Sequence, residues 1–134
     1  MTDTTTPLDA WPAAPFAITL FVDDLAVARE FYARAFGLAV AFEDDTSAVF
    51  RFGATMLNLL HTSSVPELIE PARAAPSSAG ARLVITLTVD DVDAVCAQLI
   101  ERGVSLLNGP IDRPWGPRTA SFSDPFGHVW ELAR

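Results

Sequence analysis

The heptapeptide ITLFVDD at Ile18–Asp24 recurs as ITLTVDD at Ile85–Asp91. The two copies are offset by 67 residues (85 minus 18), which is half of the 134-residue chain. In both copies an aliphatic run ends in two aspartates, a helical pattern follows, and a glycine, Gly37 or Gly103, closes it. A period of this length that occurs twice indicates a duplication within one domain rather than a solenoid repeat. We therefore expect two similar modules with the functional site between them.

Each half predicts the same order of secondary structure. Alternating side chains predict the strands, and the aspartates predict helix N-caps. In the first half a strand at 16–22 precedes a helix that ends at Gly37, and three strands follow near 39–43, 47–52 and 54–60. In the second half a strand at 82–89 precedes a helix after Asp91, and three strands follow near 104–107, 118–123 and 128–133. Each half is therefore a βαβββ unit.

This pattern also predicts how the chain is divided. The turn Asp124-Pro125-Phe126-Gly127 joins the last two strands, with residue types that a type I turn prefers. The stretch between the halves is rich in Pro, Ala and Ser, as a connector within one domain is. We expect a flexible leader, 1–15, followed by a single domain made of module 16–60, connector 61–81 and module 82–134.

The composition argues against several classes of partner. The net charge is −8, with nine Arg and no Lys, which disfavours nucleic acid and mildly favours cationic or neutral ligands. Cys96 is the single cysteine, so no intrachain disulfide forms, and we expect it to be a small buried hydrophobe. No stretch approaches the ~20 apolar residues of a membrane span, and the first residues lack a secretion signal. We therefore predict a cytoplasmic protein without nucleic-acid or membrane partners.

Two βαβββ units, each opening with a V-x-D strand end, together with RPWGPRTASFSDPFGHVWEL at Arg113–Leu132, resemble the vicinal oxygen chelate superfamily. That superfamily contains glyoxalase I, extradiol dioxygenases, fosfomycin-resistance thiol transferases and the bleomycin-resistance drug-binding proteins. The resemblance covers nearly all of residues 16–133. It implies an α+β fold in which two tandem βαβββ modules form a curved mixed sheet cup with helices outside. It implies much less about activity, because this fold hosts several chemistries.

The resemblance also locates the four positions at which enzymes of the superfamily hold a divalent metal. They lie on the first and fourth strands of each module, and in this chain they are Ala17, Asn58, Val84 and Glu131. Ala17 and Val84 cannot bind a metal, whereas a catalytic metal needs about three protein ligands. Alternation sends His61 and His128 to the opposite face from Asn58 and Glu131. We therefore expect no metal and no other cofactor.

Strand alternation predicts which residues line the cup. The uniformly aliphatic set, which includes Leu20, Leu57 and Leu87, is assigned to the face under the helices. The opposite set mixes apolar walls with a few polar groups, as a small-molecule pocket does, although a solvent-facing sheet is the alternative. We expect Glu131 to pair with Arg118 or with a ligand cation. With Trp115 added, the predicted ligand-binding residues are Thr19, Phe21, Arg51, Met56, Asn58, Leu60, Thr86, Thr88, Trp115, Arg118, Phe122 and Glu131.

Trp115 lies between two prolines in a rigid loop directly before a strand. Its indole offers a stacking face for a planar or cationic ligand. The alternative is that it packs against its own sheet or against a partner subunit.

Three functions follow from these observations. The favoured one is a metal-free binding protein of the bleomycin-resistance type that sequesters an aromatic compound in the inter-module cup. Cationic aromatic compounds are among the expected ligands. The second is an enzyme of the same superfamily, either a metal-dependent lyase, isomerase or dioxygenase, or a metal-free enzyme with Glu131 as general base. The third is a structural or regulatory homodimer with a vestigial cup. We expect a homodimer, with modules paired within a chain or swapped between chains, and the predicted cup arginines leave an anionic ligand open.

Overall fold

The computed structural model describes residues 10–134, so most of the predicted leader lies outside the described residues. Each half forms one helix and four strands in the predicted order. The first half contains β1 (Ala17–Val22), α1 (Leu25–Phe36), β2 (Phe42–Glu43), β3 (Ser47–Phe52) and β4 (Thr55–His61). The connector carries one short helix, α2 (Val65–Ile69). The second half contains β5 (Val84–Thr88), α3 (Val92–Glu101), β6 (Leu106–Asp112), β7 (Arg118–Ser123) and β8 (Val129–Ala133).

The two halves form sheets of identical topology. The strand order is β1-β4-β3-β2 in the first sheet and β5-β8-β7-β6 in the second. In each sheet the opening strand pairs in parallel with the closing strand, and the other pairs are antiparallel. The prediction of an α+β fold built from two tandem βαβββ modules is therefore confirmed.

The repeated VDD sequence ends each opening strand and starts each helix. The Asp24 side chain accepts a hydrogen bond of 3.1 Å from the Val27 N–H, and Asp91 accepts one of 3.0 Å from Ala94 N–H. Each aspartate is an N-cap with extended backbone, an arrangement worth about 1 kcal/mol. Gly37 ends α1 with a φ of 65°, a left-handed conformation that favours glycine.

One hydrophobic core joins the two modules. It combines the inner sides of α1 and α3 with the aliphatic face of each sheet. Helix α1 also packs against the second sheet: the ring centroid of Phe36 lies 5.0 Å from that of Trp130 and 6.2 Å from that of Phe122. We call the sheet faces in this core the helix faces, and the opposite faces, which carry Asn58 in the first sheet and Glu131 in the second, the cup faces.

A buried polar network also links the modules. The Tyr32 hydroxyl on α1 donates a 2.6 Å hydrogen bond to Asp124 and accepts one of 3.0 Å from Trp130 Nε1. His128 Nδ1 lies 2.6 Å from the same carboxylate, so this histidine belongs to the turn and is only partly exposed. Burial opposes ionisation of Asp124, but the hydrogen bonds from His128 and Tyr32 outweigh it and hold the pKa of Asp124 below its ordinary value. Burial, together with the neighbouring Asp124 charge, raises the pKa of Tyr32, so Tyr32 stays protonated and keeps donating.

Candidate functional site

The first sheet brings all six residues predicted from its module onto one face. Thr19 pairs with Asn58, Phe21 with Leu60, and Arg51 with Met56 across neighbouring strands. Cross-strand partners share a face, and the alternate positions, such as Leu57 and Leu59, are buried in the core. The predicted residues therefore form the cup face of the first sheet: Thr19, Phe21, Arg51, Met56, Asn58 and Leu60.

In the second sheet a polar row crosses the cup face from edge to edge. Thr86 pairs with Glu131, Glu131 with Ser121, and Ser121 with Asn108. The Thr86 hydroxyl donates a 2.9 Å hydrogen bond to Glu131 Oε1. Thr88 lies on the same face, two residues beyond Thr86. Ser121 and Asn108 were missed from the sequence, because their faces depend on how the turn before β8 and the irregular strand β6 set the register.

Two predicted cup residues, Phe122 and Arg118, lie on the helix face instead. Phe122 pairs with Trp130, is fully buried, and stacks on that indole with 6.4 Å between ring centroids. The cup assignment of Phe122 was therefore wrong. The physical reason is strand parity: the turn after β7 places Ser121, not its even-numbered neighbours, opposite Glu131.

Arg118 lies on the same face of β7 as Phe122, and its hydrogen-bond partners differ from the predicted one. It donates to both carboxylate oxygens of Asp93 at 2.8 and 2.9 Å and to Asp112 at 3.0 Å. The hydrogen bonds from Arg118 hold the pKa of Asp93 below its ordinary value. The predicted pairing of Arg118 with Glu131 is therefore wrong, and Arg118 does not contribute its charge to the cup.

A different arginine, Arg113, contacts the cup face of the second sheet. Its Nε donates a 2.8 Å hydrogen bond to Thr119 Oγ1, and its Nη2 donates one of 2.7 Å to Asn108 Oδ1. Thr119 lies two residues from Ser121 on β7 and so points to the same face. The guanidinium also lies over the Trp115 ring, 5.7 Å from its centroid, while Trp115 itself is 71% exposed. The sequence offered one signal for Arg113, its place in the rigid stretch Arg113-Pro114-Trp115.

Two of the four positions at which the superfamily's enzymes hold a metal have lost their donor atoms in this chain. Ala17 and Val84 offer no donor atom, and the first-strand residues directly opposite Asn58 and Glu131 are Thr19 and Thr86. These threonine hydroxyls bond the side chains they face, with Asn58 Nδ2 donating to Thr19 at 3.4 Å. Within residues 10–134 no group of three His, Cys, Asp or Glu side chains is placed to hold a metal ion. The residues present therefore do not fit the metal centre of the family's enzymes.

The amide of Asn58 leaves one acceptor unused. Its Oδ1 is buried and has no hydrogen-bond partner in the described part of the chain. A buried acceptor without a donor costs about 1–3 kcal/mol. The first cup face thus holds a polar point at which a donor would be favourable.

Two cavities lie beside the edges of the sheets. One of about 540 Å³ follows the edge of β1, with Thr19, Phe21 and the connector in its walls, and one of about 420 Å³ follows the edge of β5, with Thr86 and Thr88 in its walls. Neither is lined by Asn58, Glu131 or Trp115. The centres of the two cup faces therefore lie outside these two cavities, and elsewhere the faces expose large apolar side chains: Phe42, Val84 and Ile111.

Comparison with known proteins agrees with this geometry. Residues 15–132 match the family model of the Glyoxalase/Bleomycin resistance protein/Dioxygenase superfamily. Over 119 residues the chain is 31% identical to YraH, an uncharacterized protein of Bacillus subtilis, covering 86% of this chain and 93% of YraH. The chain therefore belongs to this superfamily, the vicinal oxygen chelate superfamily.

Solved structures show the same fold. A glyoxalase/bleomycin resistance protein/dioxygenase from Nocardioides superposes with a TM-score of 0.78 at 21% identity, covering 96% of this chain and 88% of that one. A lactoylglutathione lyase from Agrobacterium tumefaciens superposes with a TM-score of 0.72 at 23% identity, covering 91% and 93%. No helix within residues 10–134 has the length and apolar character needed to cross a membrane.

Proposed function

We propose that this protein binds a small molecule on its cup faces without a metal, as the bleomycin-resistance type does. The observation that carries the proposal is the pairing of Glu131 with the Thr86 hydroxyl at 2.9 Å. The carboxylate that the metal enzymes would use as a ligand here faces threonine, and the two first-strand metal positions are Ala17 and Val84. With one carboxylate and one amide among the four positions, the set falls short of the roughly three ligands that a catalytic metal needs.

The chemistry of the cup faces favours an aromatic ligand. Phe21, Met56 and Leu60 supply apolar walls on the first sheet, and Trp115 supplies an exposed indole beside the second. Thr19, Asn58, Thr86 and Glu131 add a few polar points, the mixture that small-molecule sites use for burial and orientation. Sequestration of a planar compound requires no further chemistry from these residues.

We infer that a second copy of the chain completes the site. The strands β1 and β5 lie at the ends of their sheets, so each has one edge that pairs with no strand in the described part of the chain. The cup faces also expose Phe42, Val84 and Ile111, which a monomer would leave in water. A homodimer that brings the first cup face of one chain to the second cup face of its partner would enclose both of these faces between the two chains. Light scattering coupled to gel filtration tests this, and a monomer at micromolar concentration would contradict it.

The cellular location is a further proposal. Cys96 is buried on α3 as a free thiol, and desolvation by burial raises its pKa, so it is a packing residue and unreactive. A chain that relies on no disulfide is suited to the cytoplasm.

The enzyme alternative rests on Glu131. A carboxylate on an open cup face, held by a single threonine, is placed to accept a proton from a bound substrate. Screening of aromatic compounds by thermal shift, followed by product analysis of every hit, separates the two functions. If the protein only binds its ligand, each hit is recovered chemically unchanged. A hit that is converted by the native protein, but is bound and left unconverted by Glu131→Gln, would establish the enzyme.

A further inference from the structure

Arg113 presents to the cup face of the second sheet a positive charge that forms no ion pair within residues 10–134. We propose that the cup ligand carries an anionic group, such as a carboxylate, phosphonate or sulfonate, which Arg113 binds. This inference rests on the proposed function and deepens it, because it names the chemical class of the ligand.

The hydrogen bonds of Arg113 fix the guanidinium while leaving donors free. A guanidinium has five N–H groups, and Arg113 uses one on Nε for Thr119 and one on Nη2 for Asn108. Both acceptors are neutral. Three N–H groups therefore have no protein acceptor within residues 10–134, and they lie on the Nη1 and Nη2 fork that matches an anionic oxygen pair.

Nearby arginines differ from Arg113 in their partners. Arg118 binds Asp93 and Asp112 on the helix face, and Arg134 donates to the backbone carbonyl of Asp90. The ion pairs formed among residues 10–134 do not include Arg113. The Arg113 guanidinium is thus rigid, positively charged and unpaired, which lowers the ordering cost of binding an anion.

The two cup faces together carry two arginines and one carboxylate, although the chain is acidic overall. Arg51 lies on the cup face of the first sheet, is exposed, and likewise forms none of these ion pairs. Among the strand positions that the register places on the two cup faces, the single carboxylate is Glu131. Charge on these faces therefore favours an anion, in contrast to the cationic ligand that the net charge of −8 suggested.

The polar row sets the size of the ligand. Glu131 and Asn108 lie two strands apart, about 10 Å at roughly 4.8 Å per strand. Asn108 holds Arg113, and Trp115 lies beside Arg113. A ligand with its anionic group on Arg113 and its aromatic part against Trp115 would reach Glu131 with a hydrogen-bond donor. Two fused or linked rings span this distance.

The test compares 2-naphthoate with its neutral amide, 2-naphthamide, by equilibrium dialysis against the native protein, Arg113→Gln and Arg34→Gln. Arg34 is a matched control, since it is half-exposed on α1, away from the cup faces, where it contacts Glu30 at 3.5 Å and lies over the Phe31 ring. We expect naphthoate to bind native protein and Arg34→Gln at least tenfold more tightly than naphthamide, and to lose this preference in Arg113→Gln. Thermal unfolding of each variant verifies the fold, and Arg113→Lys should keep part of the preference because it keeps the charge.

Equal binding of the two probes to native protein, or a preference that survives in Arg113→Gln, would overturn the role of Arg113 while leaving an aromatic binding protein. Failure of both probes to bind at millimolar concentration would contradict the proposed binding function itself and the inference with it.

Discussion

Thr86 and Glu131 face each other across the parallel pair β5 and β8, and the threonine hydroxyl donates a 2.9 Å hydrogen bond to the carboxylate. The equivalent pair in the first module is Thr19 and Asn58, at 3.4 Å. The duplication thus repeats a threonine beside a polar residue at the centre of each cup face. In each module a threonine hydroxyl thus bonds the fourth-strand residue, Asn58 or Glu131, that occupies a metal position of the superfamily's enzymes.

Trp115 provides the first prediction. Its side chain is 71% exposed, so Trp115→Ala should leave the fold intact and weaken binding of an aromatic probe by about 1–3 kcal/mol, the value of a lost stacking anchor. Trp11→Ala is the matched control, because Trp11 is 70% exposed and lies before the first module. Isothermal titration with 2-naphthoate measures both. Unchanged affinity in Trp115→Ala would remove this residue from the site.

Tyr32 joins α1 to the second module through its hydroxyl. Tyr32→Phe leaves the buried Trp130 Nε1 without its acceptor and removes one of the donors to Asp124, which keeps its contact with His128. The free energy of unfolding should fall by about 1–3 kcal/mol. Ser63→Ala, which removes an exposed hydroxyl bonded to His61, should cost less than about 0.5 kcal/mol. Urea denaturation compares the two variants. Equal decreases in their free energy of unfolding would show that the inter-module network stabilises the fold no more than an exposed hydrogen bond does.

Asp124 makes stability depend on pH at the acid end. Its pKa is lowered in the folded chain, so its contribution is complete above its unfolded pKa of about 4 and is lost as pH falls through the lower folded value. Asp124→Asn should be less stable than the native protein at pH 7, and the difference should shrink as pH falls from 4 to 2. Urea denaturation at several pH values measures this. A difference that stays constant or grows in acid would contradict the assignment.

Gly109 sets the irregular strand β6 that carries Asn108. Its φ is 84°, and a Cβ there would come within 2.4 Å of the Thr119 carbonyl oxygen and 2.7 Å of Ala120 Cα. Gly53 has a φ of 63° but open space around it. Gly109→Ala should therefore destabilise the fold more than Gly53→Ala, by over about 1 kcal/mol, and should disturb the Asn108–Arg113 pair. Similar Tm values for the two variants would count against this.

The fold could be predicted from the sequence because the strand pattern, the helix caps and the buried aliphatic residues all indicate the same βαβββ order. The repeated VDD supplies both the end of a strand and the cap of a helix, and the aliphatic residues that precede it fall in the core. The ends of the strands were predicted less well. Strand β2 covers only Phe42–Glu43 of the predicted 39–43, and β6 runs to Asp112, well beyond the predicted end at 107. Both differences fall on edge strands, where pairing rather than periodicity decides the ends.

The site was accessible only in part. The first cup face followed from alternation, because β1, β3 and β4 pair without irregularity. On the second, Thr86, Thr88 and Glu131 lie on the predicted face, but an error of one residue in the parity of β7 assigned Phe122 and Arg118 to the wrong one. Arg113 was missed for another reason: its role depends on hydrogen bonds to Asn108 and Thr119 across the shifted register of β6 and β7, which no local pattern encodes.

Metal content decides whether this cup operates without a metal. Untagged protein is exposed to Ni, Zn, Fe and Mn, freed of loose ions and measured by mass spectrometry beside Glu131→Ala. We expect well below one metal ion per chain in both proteins, whatever metal is supplied. Near-stoichiometric metal in the native protein that disappears in Glu131→Ala would contradict this expectation and establish a metal site that uses Glu131.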